Sequence, residues 1–260
     1  MHPRIAFARF LIKTGRFFQS SAVCIMRPDD LVEFSRQYYQ EPDNLHDWSN
    51  DRRINSGLSN LEQSLLNRIP IRKGKLLLLG LGGGREAIAL AKIGFEVTGI
   101  DFIPQMVERA KANSEKVGIE IIGLVREISK LDLPESAFDF AWLSAAMYSC
   151  VPTRKRRVDM LKRIGKTLKP GSYFVFGFLW HPGMKVSPTS NFLKKMIAYV
   201  TLGNIRYEKG DILRFNHEFF HAFTTIEELQ AEIIEAGFEI IDIQLNDEYE
   251  FAGAITKKPL

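Results

Sequence analysis

An α/β fold with a mostly parallel sheet and helices on both faces is what the sequence predicts. Three observations carry this. Lys75 to Asp101 reads as strand, glycine turn, helix, strand and acidic residue. Apolar runs and helical patterns then alternate as far as Leu179. The strand runs are Lys75–Leu79, Phe95–Ile100, Phe138–Leu143 and Tyr173–Leu179. The first of these, Lys75–Leu79, is continuously apolar after its lysine, the signature of a strand buried on both faces. Alternating strands and helices of this length imply a parallel sheet.

The first residues, Met1 to Met26, mix Ile5, Phe7, Phe10, Leu11, Ile12, Phe17 and Phe18 with Arg4, Arg9, Lys13 and Arg16. Charges interrupt every apolar run, so neither a membrane-spanning helix nor a signal peptide is expected. On a helix, Arg9, Lys13 and Arg16 share one face, while Phe7, Leu11 and Phe18 lie on the other. A helix on a membrane surface is one reading. The favoured one is a helix packed on the domain or on a partner subunit, because Ile5 and Ile12 fall near the basic face. Pro28, Asp29 and Asp30 suit the first turn of a second helix running to Gln40. Glu41 to Gly57 is polar. Leu58 to Arg68 forms a further helix, capped by Ser59 or Asn60, with Leu61, Leu65, Leu66 and Ile69 on its apolar side. Residues 1–70 are therefore expected to form an N-terminal helical segment, and residues 71–260 the main domain.

Beyond Asp101 come a helix (Pro104–Lys116), a strand (Gly118–Val125), the Phe138 strand, a helix (Thr153–Leu168), a Lys169-Pro170-Gly171 turn and the Tyr173 strand. Residues 181–223 break the alternation with an irregular, aromatic stretch, expected to cover a substrate. Thr224 or Thr225 caps a helix over Ile226–Ala236, which Gly237 ends. Phe238–Ile243 and Tyr249–Ile255 close the chain as an antiparallel hairpin.

The 260 residues suffice for one domain with decorations; 45% apolar and 25% charged content is ordinary for a globular protein. A net charge of +4 does not by itself call for a nucleic-acid partner. Cys24 and Cys150, without metal-ligand spacing, suggest a reducing compartment and a cytoplasmic location. No metal site is expected.

The glycine turn, Gly80 to Gly84, lets the backbone approach a ligand, and the helix after it directs free N–H groups to the same place. Asp101, 21 positions after Gly80 at the tip of the next strand, suits a ribose diol. A nucleoside ligand follows. Read as G-x-G-x-x-G, the motif puts Arg85 where a dinucleotide site needs a small residue. Read as G-x-G-x-G, it is complete at Gly80, Gly82 and Gly84. A glycine-rich turn of some other α/β protein remains the bland alternative.

The second pattern resembles the first motif of class I S-adenosylmethionine (SAM) methyltransferases, and the likeness runs from Lys75 to the C-terminus. FDFAWLSAAMYSCVP resembles that family's fourth strand and following loop. LKRIGKTLKPGSYFVFGF resembles its helix, Lys-Pro-Gly turn and fifth strand, and FTTIEELQAEIIEAGFEIIDI its last helix and sixth strand. The resemblance implies a Rossmann-like seven-stranded sheet with an antiparallel last strand, SAM as cofactor under a cap formed by residues 1–70, and methyl transfer. It implies that Gly80, Leu81 and Gly82 pass beneath the methionine moiety and that Asp101 holds the ribose. Phe102 would pack on the adenine with Met106 nearby, Glu127 would accept from the adenine amino group with Ile128 beside the ring, and Ser144 would approach the methionine. Leu78 departs from the family, which usually carries an acidic residue there; Glu86 is a candidate replacement.

For the acceptor, the favoured reading is a small molecule methylated on oxygen or nitrogen rather than carbon. The loop after the fourth strand lacks both the Asn/Asp-Pro-Pro-aromatic pattern and the Pro-Cys pair of other methyltransferase groups. His181 and His217 are candidate bases, and Tyr39, Trp48, Tyr148 and His221 candidate substrate contacts. No nucleic acid and no stable membrane insertion are expected, and a homodimer is left open. A SAM-binding protein without catalysis, and an NAD-dependent oxidoreductase, stand as alternatives.

Overall fold

The computed structural model describes residues 3–185, 187–245 and 250–260. A seven-stranded sheet forms its centre, built from β1 (Gly74–Leu79), β2 (Phe95–Asp101), β3 (Ile122–Val125), β4 (Phe138–Leu143), β5 (Leu168–Leu179), β8 (Glu239–Gln244) and β9 (Phe251–Lys257). The strand order is β3-β2-β1-β4-β5-β9-β8. The pairs among β1 to β5 are parallel, and β9 runs antiparallel to both of its neighbours. The chain's last strand is thus the antiparallel one. Tyr249, expected at its start, lies outside the described residues.

Period-two alternation assigns the strand side chains to two cores. Leu77 and Leu79 face one, with Phe174, Phe176, Phe178, Ile164, Leu229 and Ile233. Leu76 and Leu78 face the other, with Leu65, Leu66, Leu90, Val107, Phe140 and Trp142. Helices cover both sides: α6 (Arg85–Ile93), α7 (Pro104–Lys116), α8 (Arg154–Thr167) and α10 (Ile226–Glu235). Leu78 is fully buried in the second core, which also holds Leu65 and Leu66 of α5 (Asn60–Asn67), and this explains the apolar residue at that position. Ser59 and Glu62 form a capping box at the start of α5.

Lys169-Pro170-Gly171 does not end in a turn before the fifth strand. It lies within β5, where the register with β4 shifts between Phe138 and Phe140, so the irregularity is absorbed as a bulge. Thr225 occupies the cap position of α10 but its side chain makes no capping bond.

The flanking regions are more ordered than their composition suggests. Before β1 lie α1 (Pro3–Ile25), α2 (Pro28–Gln40), α3 (Pro42–Asp47) and α4 (Asp51–Asn55), the last two within the polar stretch. The stretch after β5 holds α9 (Pro188–Val200) and an antiparallel hairpin, β6 (Asp211–Arg214) and β7 (Glu218–His221). These two regions pack on each other. α1 rests on α9 and β6, and α2 rests on β7, where the Phe219 amide donates to Ser35 Oγ at 3.1 Å. Val23, Cys24, Leu31, Ala198, Tyr207 and Phe219 form their shared core. Only the last turns of α1 take part. Ile5, Phe7, Phe10, Leu11, Ile12 and Phe18 are all at least half exposed, so of the packing expected on the domain or on a partner subunit, the described residues of the chain supply only that of the helix's end.

Candidate active site

A cavity of about 420 Å³ opens at the C-terminal ends of β1, β2 and β4, under the cap. The glycine turn forms its floor. Gly82 has φ +50° and open space where a Cβ would stand, so nothing but backbone borders the cavity there. At Gly83 a Cβ would come 2.5 Å from the Ser49 Cα and the Trp48 carbonyl oxygen, which is how closely the α3–α4 segment lies on the turn. Asn113 ties the two together, its side-chain amide donating to the Ser49 carbonyl at 3.1 Å and the Gly83 carbonyl at 3.0 Å.

Gly80, Leu81, Gly82, Asp101, Phe102, Met106, Glu127, Ile128 and Ser144 all line this cavity. Asp101 accepts from the Gly82 amide at 2.8 Å and the Ile103 amide at 3.0 Å, one through each oxygen. Lone pairs remain on both oxygens. Burial pushes its carboxyl up to about 6, against the opposing pull of those amides. A diol held by the carboxylate favours the ionised form, so nucleoside affinity should be level above that value and fall as pH drops through about 6; calorimetric titrations across the range would show it. Ser144 Oγ is buried without a hydrogen-bond partner among the described residues, a polar atom awaiting one in the cavity wall.

Charged groups gather at one end. Arg85, the residue that spoils the dinucleotide pattern, turns away from the helix–strand seam. It makes a two-pronged pair with Glu62 of α5, both contacts 2.7 Å, and reaches Glu86 at 2.6 Å. Burial pushes the Glu86 carboxyl up to about 7. Arg53 of α4 lies 4.3 Å from the centroid of the Trp48 ring, and Arg53, Arg85 and Glu86 all border the cavity. This set of one carboxylate and two guanidinium groups matches the ammonium and carboxylate of an amino acid in charge. The sequence reading named Glu86 but passed over Arg53, which no motif marks.

Away from the glycine turn the wall is mostly apolar, with Val32, Met147, Val151, Phe215, Phe220 and Phe251. Tyr39 and Trp48 line the cavity, their rings 5.9 Å apart edge to face. One half-buried acid stands here: Glu218, whose Oε1 accepts from the Tyr39 hydroxyl and lies 3.6 Å from Cys150 Sγ. Burial raises the Glu218 carboxyl, opposed by those hydrogen bonds and by Arg214. The Tyr39 and Cys150 protons are held well above their ordinary ranges, chiefly by burial and then by the Glu218 charge. Glu218 sits on β7 in a stretch read from sequence as irregular, so nothing singled it out.

Four expected residues lie elsewhere. His181 does not line the cavity: its backbone joins Phe223, and the chain turns away at Pro182. His217 is exposed beyond a left-handed pair, Phe215 and Asn216, and stacks on Tyr38 at 4.9 Å. Tyr148 is wholly buried, its hydroxyl donating to Glu232. The 3₁₀ turn Met147–Cys150 explains this, since residues three apart share a face. Met147 and Cys150 meet the cavity and Tyr148 points into the core. His221 is fully buried, with Nδ1 2.9 Å from Asp211 and Nε2 3.2 Å from Glu228. Burial and Arg157 push its pKa down, but the carboxylates prevail and raise it. Glu208, Asp211 and His221 approach one another as metal ligands would. A cation is already present, however: the Arg157 guanidinium lies 2.7 Å from Glu208.

A parallel sheet in this order, with a glycine turn after its first strand and a carboxylate at the tip of the second, defines a nucleoside-binding domain. Residues 77–176 match the family model described as a methyltransferase domain. An uncharacterized methyltransferase of Synechocystis is 30% identical over 127 residues, 48% of this chain and 57% of that protein. A ubiquinone biosynthesis O-methyltransferase of Xylella fastidiosa is 31% identical over 104 residues, 40% of this chain and 41% of that protein. The chain spans about half the length of such curated relatives. A SAM-dependent methyltransferase structure from Methanosarcina mazei superposes with a TM-score of 0.60 at 24% identity, over 78% of this chain and 99% of that one. Residues 77–176 thus match a methyltransferase domain, and the fold is the one found in SAM-dependent methyltransferase structures.

Proposed function

We propose that the chain transfers a methyl group from SAM to the oxygen or nitrogen of a small, largely apolar acceptor, with Glu218 as the base. The observation that carries this reading is the cavity's division into an end formed by the glycine turn and Asp101 and a largely apolar end with the half-buried Glu218 carboxylate. Residues 1–70 and about 181–223 act as its cap, since α2, α4 and the β6–β7 hairpin all contribute to the wall.

SAM supplies a methyl already activated on a sulfonium, so the chain's residues position groups, exclude water and move one proton. In this reading Asp101 accepts the ribose hydroxyls, Phe102 and Ile128 flank the adenine, and Glu127 accepts from its amino group. Glu86 faces the methionine ammonium in place of the missing acid at Leu78, and Arg53 faces the carboxylate. Ser144 offers its unpaired hydroxyl. Tyr39 and Trp48 wall the acceptor, and Glu218, its proton affinity raised by burial, takes the acceptor's proton.

Calorimetry with SAM, its demethylated product SAH, and NAD tests the cofactor; release of SAH with a panel of apolar phenols and amines tests the chemistry. Glu218→Gln should lower kcat by about 10²- to 10⁴-fold with SAM affinity unchanged. His181→Ala and His217→Ala should leave both intact. Full activity in Glu218→Gln would remove the base assignment, and SAH release with no methylated acceptor would point to a binding protein.

A further inference from the structure

From the arrangement of α1 and α9 we infer a docking surface for an anionic lipid bilayer. The two helices lie side by side, and their apolar residues face water. α9 is inverted relative to an ordinary surface helix. Lys194 (7% exposed) and Ala198 (1%) point inward, while Phe192, Leu193, Met196, Tyr199 and Val200 are 45–74% exposed. Leu202 and Ile205, in the turn that follows, are 65% and 68% exposed. On α1, Phe7, Phe10 and Phe18 are 61–68% exposed. Isolated exposed apolar residues need no explanation, but ten of them on two helices that pack on each other, and on the turn after one, mark an interaction surface.

The charges select the partner. No Asp or Glu occurs from residue 3 to 28, nor from 181 to 207. Arg4, Arg9, Lys13 and Arg16 are exposed along α1. A second copy meeting this face about a two-fold axis would set like charges against like. An anionic bilayer offers an apolar interior beneath a negative surface, which this combination fits. The helices lie on the bilayer rather than across it: no described helix is long and apolar enough to span one.

The test is co-sedimentation of the full chain, without SAM, with vesicles of phosphatidylcholine alone or mixed with phosphatidylglycerol. Binding to the mixed vesicles, weakened by salt and absent with phosphatidylcholine alone, is expected. Arg4→Gln/Lys13→Gln/Arg16→Gln should weaken it on the order of a hundredfold, each basic residue being worth roughly fivefold near such a surface. Phe7→Ser/Phe192→Ser should abolish it. All five positions are exposed, so circular dichroism and the thermal midpoint should be unchanged, and a variant that loses binding while folded is decisive. Failure of the folded wild-type chain to sediment, or binding that these variants leave intact, would overturn the inference. So would self-association that Phe7→Ser/Phe192→Ser dissolves without any vesicle binding. Because SAM is absent, none of these outcomes bears on methyl transfer.

Discussion

Asp101→Ala should reduce SAM and SAH affinity about a hundredfold while the fold persists. The carboxylate is 7% exposed, and its remaining lone pairs border the cavity. A hydrogen bond to a charged acceptor is worth ~1.5–3 kcal/mol, and losing the pair to a ribose diol amounts to about 3 kcal/mol, or roughly two decades in Kd. Stability should move the other way or stay level. The folded-state pKa of about 6 lies above the ordinary carboxylate value of 3.8, so the ionised group costs the unliganded fold free energy as pH rises through that window. Removing it lifts that cost but strands the amides of Gly82 and Ile103. Calorimetry beside a melting curve reads both quantities, and undiminished SAH binding would mean that the nucleoside lies elsewhere.

Arg157→Met should be the most destabilising exchange in the chain. Arg157 is fully buried; its Nε and Nη2 bond the Glu232 carboxylate at 2.9 and 2.6 Å, and Nη2 also reaches Glu208 at 2.7 Å. Tyr148 donates to the same Glu232, and the guanidinium lies 5.4 Å from the Phe223 ring centroid. Removing the cation leaves Glu232, itself fully buried, without its counter-charge, at a cost of about 3–5 kcal/mol. For a chain of this size the melting midpoint should fall on the order of 10 °C. Adding Glu232→Leu should restore more than half of the loss, because a buried pair replaced by apolar groups is often close to neutral. A double variant as unstable as the single one would show that Glu208 and Tyr148 dominate the network.

The sheet and the glycine-turn end of the cavity were legible in the sequence because local chemistry dictates them. Four consecutive leucines, a run of glycines and an acidic residue at a fixed distance specify backbone and ligand geometry within 27 residues, Lys75 to Asp101. The apolar end was not, because distant segments meet there: Tyr39 reaches Glu218 across 179 positions. His181 and Tyr148 were placed near the site by their position after a strand, but a one-residue rotation in the 3₁₀ turn and a change of course at Pro182 direct them away. Leu78 looked like a defect in the motif, yet it is buried in the second core, and the carboxylate nearest in kind at the cavity is that of Glu86.

The clasp between α2 and β7 bears on how the chain is made. Ser35 and Phe219 are 184 positions apart. At ~5–20 residues per second, a ribosome takes roughly 10–40 s to cover that distance. Throughout that interval α1 and α2 have left the exit tunnel while the strands and helix they pack against do not yet exist. Val23, Cys24 and Leu31 then stand unburied on a nascent chain, where early binding by a chaperone would prevent misassociation until the β6–β7 hairpin arrives.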